Sequence, residues 1–220
     1  MYIAIIGDII NSRKIKEREK AQNKLKTILE EVNKEFKDIV ASNLTITLGD
    51  EFQGLLLPKK EIFLIIDIIE KSFKPYALRF GIGYGEISTH INKEISIGAD
   101  GPAYWRAREA IIDVHDNHQY SVRKTGFLSS SKENDQLFNN MLALTDFIKS
   151  KWSKTQLEIY EYLLDERIYS EDFEQKKLAK KINMNPSAFQ KRLKSSGLKL
   201  YLKSKSNLGE ILEITGGKNE

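Results

Sequence analysis

The protein has 220 residues, 40% of them hydrophobic and 30% charged, a composition typical of a globular chain with a buried core. It contains no cysteine, which excludes disulfides, thiolate metal sites and cysteine nucleophiles. Its apolar runs, such as FLIIDII at residues 63–69, are too short to span a membrane, so we expect a cytosolic protein with no membrane partner.

The net charge of +4 comes entirely from the C-terminal third of the chain. Residues 1–150 hold 21 basic and 21 acidic side chains, whereas residues 176–205 hold ten Lys or Arg and no acid. Such a local field attracts polyanions and favours nucleic-acid binding. A solvated lysine-rich surface is the alternative interpretation.

The N-terminal part begins with a β-branched run at residues 2–7, which predicts a buried strand with Asp8 just past its end. Apolar residues then follow a helical spacing from about residue 16 to 39. The segments LTITL and FQGLLL predict a hairpin around Asp50 and Glu51, and a second amphipathic helix follows at residues 62–73.

The segment ALRFGIGYGEI, at residues 77–87, predicts the next strand, and we expect EISIG, at 94–98, to pair with it. Gly81, Gly83 and Gly85 alternate along this strand, so they lie on one face, where a helix or a ligand approaches the backbone closely. Strand, helix, hairpin, helix and strand is the βαββαβ order. We therefore predict an α+β fold with a ferredoxin-like antiparallel sheet packed against helices.

A glycine loop precedes the next predicted helix, which begins near Pro102 and runs towards Val114. The free backbone N–H groups and the positive dipole end of that helix make Gly101 a candidate phosphate-binding residue. Arg106 and Arg108 are two residues apart on the helix, so at most one of them points at a shared site.

Four segments of residues 7–112 closely resemble the SatD family of small bacterial proteins, and the resemblance extends over the whole chain. They are GDIINSRKI, ITLGDEFQGLL, LRFGIGYGEI and IGADGPAYWRAREAI. More distantly, the same blocks are similar to the class III nucleotidyl cyclases and the GGDEF diguanylate cyclases. The ferredoxin-like palm of those enzymes binds a nucleoside triphosphate through two divalent metals.

This resemblance implies that Asp8 and Asp50 hold Mg²⁺ or Mn²⁺ and that Glu51 and Arg108 assist catalysis. The nucleotide contacts that it implies are at Ile9, Gly49, Gly101 and Arg108. Carboxylates that converge from adjacent strands suit Mg²⁺, which prefers oxygen ligands and bridges triphosphate oxygens. The alternative is that the two aspartates only cap turns.

The sequence also departs from the cyclase pattern. Ile46 stands where class III cyclases carry a base-selecting lysine, and Tyr104 stands at the position of their transition-state asparagine. Cyclases of this kind often work as dimers, so the resemblance also implies a homodimer in which Arg108 serves the acids of the neighbouring chain.

In the C-terminal part, QYSVRK at 119–124 predicts a strand and a helix follows through residues 137–148. Ser153 and Gln156 form a predicted capping box for the next helix. KKLAKKINMNPSAFQKRLKSSG, at 176–197, resembles a helix-turn-helix in which Asn183 makes the turn, Asn185 caps the second helix and Pro186 starts it.

LKLYLKSKSNLGEILEI, at 198–214, is expected to form a winged hairpin. The predicted DNA-binding residues are Ser187, Gln190, Lys191 and Lys194 on the second helix, with Lys203 and Lys205 on the wing. The alternative is a helix-turn-helix that contacts proteins.

The resulting hypothesis has a cyclase-like domain at 1–130, a connecting helix at 131–150 and a winged helix-turn-helix at 151–220. We expect a cytosolic transcriptional regulator that binds a metal-bound nucleotide and DNA. Two alternatives are an active metal-dependent nucleotidyl cyclase or nucleotidyltransferase and a degenerate domain that serves only as an interaction platform.

Overall fold

A five-stranded sheet in the order β2-β3-β1-β4-β5 lies at the centre of the protein. The computed structural model describes residues 1–117 and 122–217. The strands are β1 (Tyr2–Ile9), β2 (Val40–Ile46), β3 (Glu51–Leu56), β4 (Leu78–Gly85) and β5 (Thr125–Leu128). The α-helices are α1 (Arg18–Glu35), α2 (Ile62–Ser72), α3 (Pro102–Asp116), α4 (Lys132–Ser150), α5 (Lys154–Asp165), α6 (Gln175–Lys181), α7 (Pro186–Ser196) and α8 (Leu198–Gly217). Only the β4–β5 pair is parallel in this sheet.

The α+β prediction and the order from β1 to β4 are confirmed. β1 extends to Ile9, so Asp8 lies within the strand and pairs across the sheet rather than following the strand. The predicted pairing of residues 94–98 is wrong, because this segment is a loop. Its Ser96 instead exchanges two hydrogen bonds of 2.8 and 3.0 Å with Gln53 on β3. Residues 119–121 of the predicted QYSVRK strand lie outside the described residues, and β5 begins at Thr125.

The alternating glycines of β4 lie beneath α3. A Cβ atom at Gly83 would stand 2.0 Å from the carbonyl oxygen of Ala103, and one at Gly81 would stand 2.1 Å from that of Ala107. Close helix packing therefore accounts for the glycine pattern. α3 covers one face of the sheet, and α1 and α2 cover the other, where the aliphatic residues of β1 and β4 contact them.

Of the helices after β5, α4, α5 and α8 contact α2. One cluster of buried side chains joins α1, α2 and their sheet face to residues of α4, α5, α6, α7 and α8. Ser153 and Gln156 form the predicted capping box at the start of α5, which is confirmed. The division of the chain at residues 130 and 150 stays a prediction.

The prediction of a wing after α7 is wrong, because α8 is a helix that runs from Leu198 to Gly217. A row of its buried residues recurs every three or four positions: Leu198, Tyr201, Lys205, Leu208 and Leu212. That spacing defines one face of an α-helix. Gly209 and Gly216 let α8 dock closely, since a Cβ atom at Gly209 would stand 2.2 Å from the carbonyl oxygen of Lys60 and one at Gly216 would stand 2.3 Å from the ring of Pro58.

A buried charge network joins α2 to α4 and α8. Asp67 of α2 is 1% exposed, and its Oδ1 lies 3.7 Å from Lys149 Nζ and 3.6 Å from Lys205 Nζ. Tyr201 donates a hydrogen bond of 2.9 Å to Asp67 Oδ2, and Tyr169 donates to the same oxygen. Burial alone would raise the pKa of Asp67, but the two lysines and the phenols outweigh burial and hold that pKa below its usual value.

Candidate functional site

The candidate site lies at one end of the sheet, where β1 and β3 carry acids. Asp8 of β1 is the direct cross-strand partner of Glu51 on β3 and, on its other side, of Arg79 on β4. Asp50 precedes Glu51 in the hairpin, and its carbonyl oxygen accepts a hydrogen bond of 2.9 Å from the backbone of Ile9. We call Asp8, Asp50 and Glu51 the acid edge.

Each aspartate of the acid edge uses one carboxylate oxygen for a protein contact. Arg79 Nε donates to Asp8 Oδ1 at 2.6 Å, and Ser12 Oγ donates to Asp50 Oδ2 at 2.6 Å. Within the described residues, the second oxygen of each aspartate accepts no hydrogen bond. One oxygen from each side chain is therefore available to a cation.

Glu51 is engaged differently, because Arg108 of α3 binds both of its carboxylate oxygens. Arg108 Nη2 donates to Oε1 at 2.7 Å, and Nη1 donates to Oε2. This fork geometry gives a strong pair, and the hydrogen bonds to Glu51 raise the pKa of Arg108 further above its usual value. Arg108 thus contacts an acid of its own chain, and Glu51 offers no oxygen to a metal in this arrangement.

The electrostatics of Asp8 favour a cation. Burial raises the pKa of Asp8, Arg79 partly offsets this effect, and repulsion from Asp50 and Glu51 raises the pKa further. The ionised form of Asp8 is therefore destabilised where it stands. A divalent cation shared with Asp50 would relieve that repulsion.

The acid edge could supply only part of the coordination sphere of a metal ion. Among residues 1–117 and 122–217, no group of three or more His, Cys, Asp or Glu side chains is arranged to hold a metal ion. Asp8 and Asp50 supply two carboxylates. Mg²⁺ is commonly bound by one or two carboxylates, with phosphate oxygens and water completing the octahedron. The acid edge thus suits a cation that arrives with a polyphosphate.

The predicted nucleotide contacts divide into two groups. Ile9 and Gly49 flank the acids, and Gly49 has a φ of 70°, which suits the hairpin turn. Gly101 lies at the opposite end of the sheet, because α3 begins beside Gly85, whose partner on β1 is Tyr2. Six residues of strand separate that position from Asp8, which is about 20 Å. The structure does not bring Gly101 to the acids.

The second candidate site is the helix pair α6 and α7, the segment that resembles a helix-turn-helix. Asn183 adopts a φ of 52° in the turn, as predicted from its tolerance of the left-handed region. Asn185 caps α7 by accepting a hydrogen bond of 2.9 Å from the backbone of Ser187, and Pro186 is the first helical residue. Phe189 and Leu193 are buried and join this pair of helices to the core.

Four of the six predicted DNA contacts lie together on α7: Ser187, Gln190, Lys191 and Lys194, all exposed. The other two lie on α8. Lys203 is exposed and pairs with Glu171 at 2.7 Å. Lys205 is 1% exposed and faces Asp67, so the prediction that Lys205 contacts DNA from a wing is wrong.

A comparison with models of protein families shows to which family the chain belongs. A family model described as SatD family matches residues 2–212. The chain belongs to the SatD family. No curated protein and no solved structure is significantly similar to this SatD-family protein. Within the described residues, it has no helix that is long and apolar enough to cross a membrane.

Sequence reasoning missed two residues that hold the acids of this SatD-family protein in place. Arg79 lies two positions before Gly81, so the strand alternation already placed it on the same face as Asp8. Ser12 carried no comparable signal. It reaches Asp50 because the chain after β1 folds into a short 3-10 helix at Ser12–Lys14.

Proposed function

We propose that this protein is a cytosolic DNA-binding regulator whose sheet also binds a nucleoside triphosphate together with a divalent cation. The outer face of α7 carries the DNA-binding part of the proposal. Its four exposed polar residues follow the spacing i, i+3, i+4 and i+7, so they line one side of the helix. In a helix-turn-helix, the N-terminal part of the second helix meets base edges in the major groove.

On the basis of this geometry we propose different roles along α7. Ser187 and Gln190 lie near its N-terminus and meet bases, whereas Lys191 and Lys194 lie further along and meet phosphates. The surrounding charge supports this assignment. Of the ten basic residues at 176–205, seven make no ion pair within the described part of the chain. Those seven cations are available to neutralise a DNA backbone.

The test is the salt dependence of duplex-DNA binding, measured by fluorescence anisotropy. Lys191→Ala and Lys194→Ala should each weaken binding and reduce the slope of log K against log salt by about 1. Lys132→Ala, an exposed lysine at the start of α4, is the matched control and should leave the slope unchanged. A slope near zero for the unmodified protein would show that the helix-turn-helix meets a protein instead.

The available oxygens of Asp8 and Asp50 favour the second function, binding of a triphosphate with Mg²⁺ or Mn²⁺. Two carboxylates alone bind Mg²⁺ weakly, and phosphate oxygens complete the site. The Glu51–Arg108 pair lies beside the acids, and Arg108 can exchange Glu51 for a phosphate without leaving the sheet end. The same arrangement supports a nucleotidyl cyclase or transferase as the alternative.

Calorimetry separates these possibilities. Mg²⁺ alone should give no measurable heat, whereas a nucleoside triphosphate with Mg²⁺ should bind, and Asp8→Asn or Asp50→Asn should abolish that binding. Asp38→Asn, an exposed aspartate beyond α1, is the control. Product analysis of the same mixtures then distinguishes a sensor, which leaves the nucleotide intact, from an enzyme. If no triphosphate binds under any of these conditions, the sheet domain serves as an interaction platform.

A further inference from the structure

A groove on the outer side of α3 adjoins the acid edge. It has a volume of 510 Å³ and is lined by Ile6, Gln53, Tyr104, Trp105, Arg108 and Ile112, among others. We call it the α3 groove. Its volume lies within the range of small-molecule sites, and its walls combine apolar side chains with a few polar groups, which is also typical of such sites.

The outer wall of the α3 groove is an aromatic and aliphatic surface that the protein leaves uncovered. Trp105 is 58% exposed and Ile112 is 51% exposed, and they lie seven residues apart on one side of α3. The indole N–H of Trp105 donates a hydrogen bond of 2.6 Å to Asp100, which holds the orientation of the ring. A fixed and accessible indole face is a stacking platform for a planar ring.

The inner wall offers hydrogen-bonding groups. Gln53 uses its amide N–H to bind Ser96, and within the described residues its side-chain oxygen accepts no hydrogen bond. Tyr104 is 6% exposed, and its hydroxyl lies beside Ser96 but makes no hydrogen bond of normal geometry with residues 1–117 or 122–217. A buried hydroxyl without a partner costs free energy, which a polar ligand atom can recover.

The strand register connects this groove to the acids. Ile6 and Gln53 are direct cross-strand partners, and the next pair on the same face is Asp8 and Glu51. Two residues of strand separate the pairs, which is about 7 Å. Arg108 both lines the groove and binds Glu51. One ligand with an anionic end and a planar end can therefore occupy the acid edge and the α3 groove together.

We infer that the α3 groove binds the base of the nucleotide, stacked on Trp105 with its polar edge towards Gln53 and Tyr104. This inference rests on the proposed binding of a triphosphate at the acid edge. It places base recognition on α3, whereas the hairpin position occupied by Ile46 carries no group that can hydrogen-bond a base.

The test compares Mg²⁺ complexes of a nucleoside triphosphate and of inorganic triphosphate by calorimetry. Trp105→Ala should weaken nucleotide binding roughly 5- to 100-fold, the loss of one base-stacking contact, and leave inorganic triphosphate binding within about twofold. Trp105→Phe should retain most of the nucleotide affinity. Leu137→Ala, at a position 50% exposed on α4, is the control and should change neither.

Equal binding of both ligands by the unmodified protein, or unchanged nucleotide affinity in Trp105→Ala, overturns the base-binding inference while the phosphate site stands. If neither ligand binds, the proposed phosphate site fails, and nucleosides test the α3 groove by themselves. Quenching of tryptophan fluorescence by nucleosides that disappears in Trp105→Ala then supports the groove. The absence of quenching in the unmodified protein overturns it.

Discussion

Lys205→Met is expected to destabilise the protein severely, although this lysine ends the basic run at residues 176–205, a composition typical of a protein surface. Its Nζ is 3.6 Å from Asp67 Oδ1, and both side chains are 1% exposed. With an effective dielectric constant of about 20, the attraction at that distance is about 4.6 kcal/mol. Removing one partner of a buried pair typically costs about 3–5 kcal/mol, because the other charge stays buried.

We expect a loss of about 3 kcal/mol for Lys205→Met, the lower part of that range, since Lys149 and Tyr201 still contact the carboxylate. Methionine keeps most of the buried volume of the lysine, so the loss of stability measures the effect of removing its charge. The loss amounts to a large part of a typical folding free energy of about 5–15 kcal/mol. In urea denaturation it should lower the midpoint by about 1 M or more.

Two controls make this reasoning refutable. Lys203→Met, two residues along α8 and exposed, should leave the midpoint almost unchanged. The double variant with Asp67→Asn should be less destabilised than the sum of the two single variants, since both act on one interaction. A loss under about 1 kcal/mol, or additive effects in the double variant, would refute the assignment of the pair as a stabilising charge contact.

The remaining predictions concern acid stability and the packing of α3. Because the pKa of Asp67 is lowered on folding from its ordinary value of 3.8, its contribution is present above that value and is lost as pH falls towards the folded pKa. The stability gap between the unmodified protein and Asp67→Asn, followed by urea denaturation, should hold down to about pH 4 and narrow below it; a gap independent of pH contradicts this. Gly83→Ala should cost about 3 kcal/mol or more in thermal or urea denaturation, because its Cβ would meet backbone atoms of α3 at 2.0 and 2.4 Å. Gly217→Ala, which meets nothing within 4 Å, is its control, and equal stability of the two variants counts against the packing argument.

Local signals predicted most of the fold. The residues that begin and end α7 have specific backbone roles, since Asn183 takes a positive φ, Asn185 caps and Pro186 lacks the N–H that a first helical residue does not need. The alternating glycines of β4 likewise predicted correctly which face of that strand a helix packs on. Such signals depend on neighbouring residues, which the sequence itself contains.

The wing shows where local reasoning fails. Lys205 lies at a helical position of the buried stripe of α8, but a lysine usually indicates a solvent-exposed position, and LKLYLKSK alternates between apolar and polar residues like a strand. The buried position of Lys205 depends on Asp67, 138 residues earlier in the chain. Tertiary charge pairing of this kind leaves no periodic trace in the sequence.

The candidate site likewise contains residues that the sequence predicted correctly and residues whose position depends on the tertiary fold. The resemblance to the cyclases implied that Asp8, Asp50 and Glu51 lie together, and the structure places them on the neighbouring strands β1 and β3 and the hairpin before β3. Gly101 was predicted to join them, but the direction of α3 sends its N-terminus to the other end of the sheet. Trp105 gave no signal, because exposure on one helix face depends on what the fold leaves uncovered.

The glycine face of β4 also affects how this family can diverge. The main chain of α3 rests on the main chain of β4 at Gly81 and Gly83, so side-chain size has no part in setting the distance between helix and sheet. The reach of Arg108 towards Glu51 is therefore set by backbone geometry. Outward residues of α3 such as Trp105 can therefore be replaced without shifting the arginine, and under the base-binding inference such a replacement would alter base preference while the charged end stays in place.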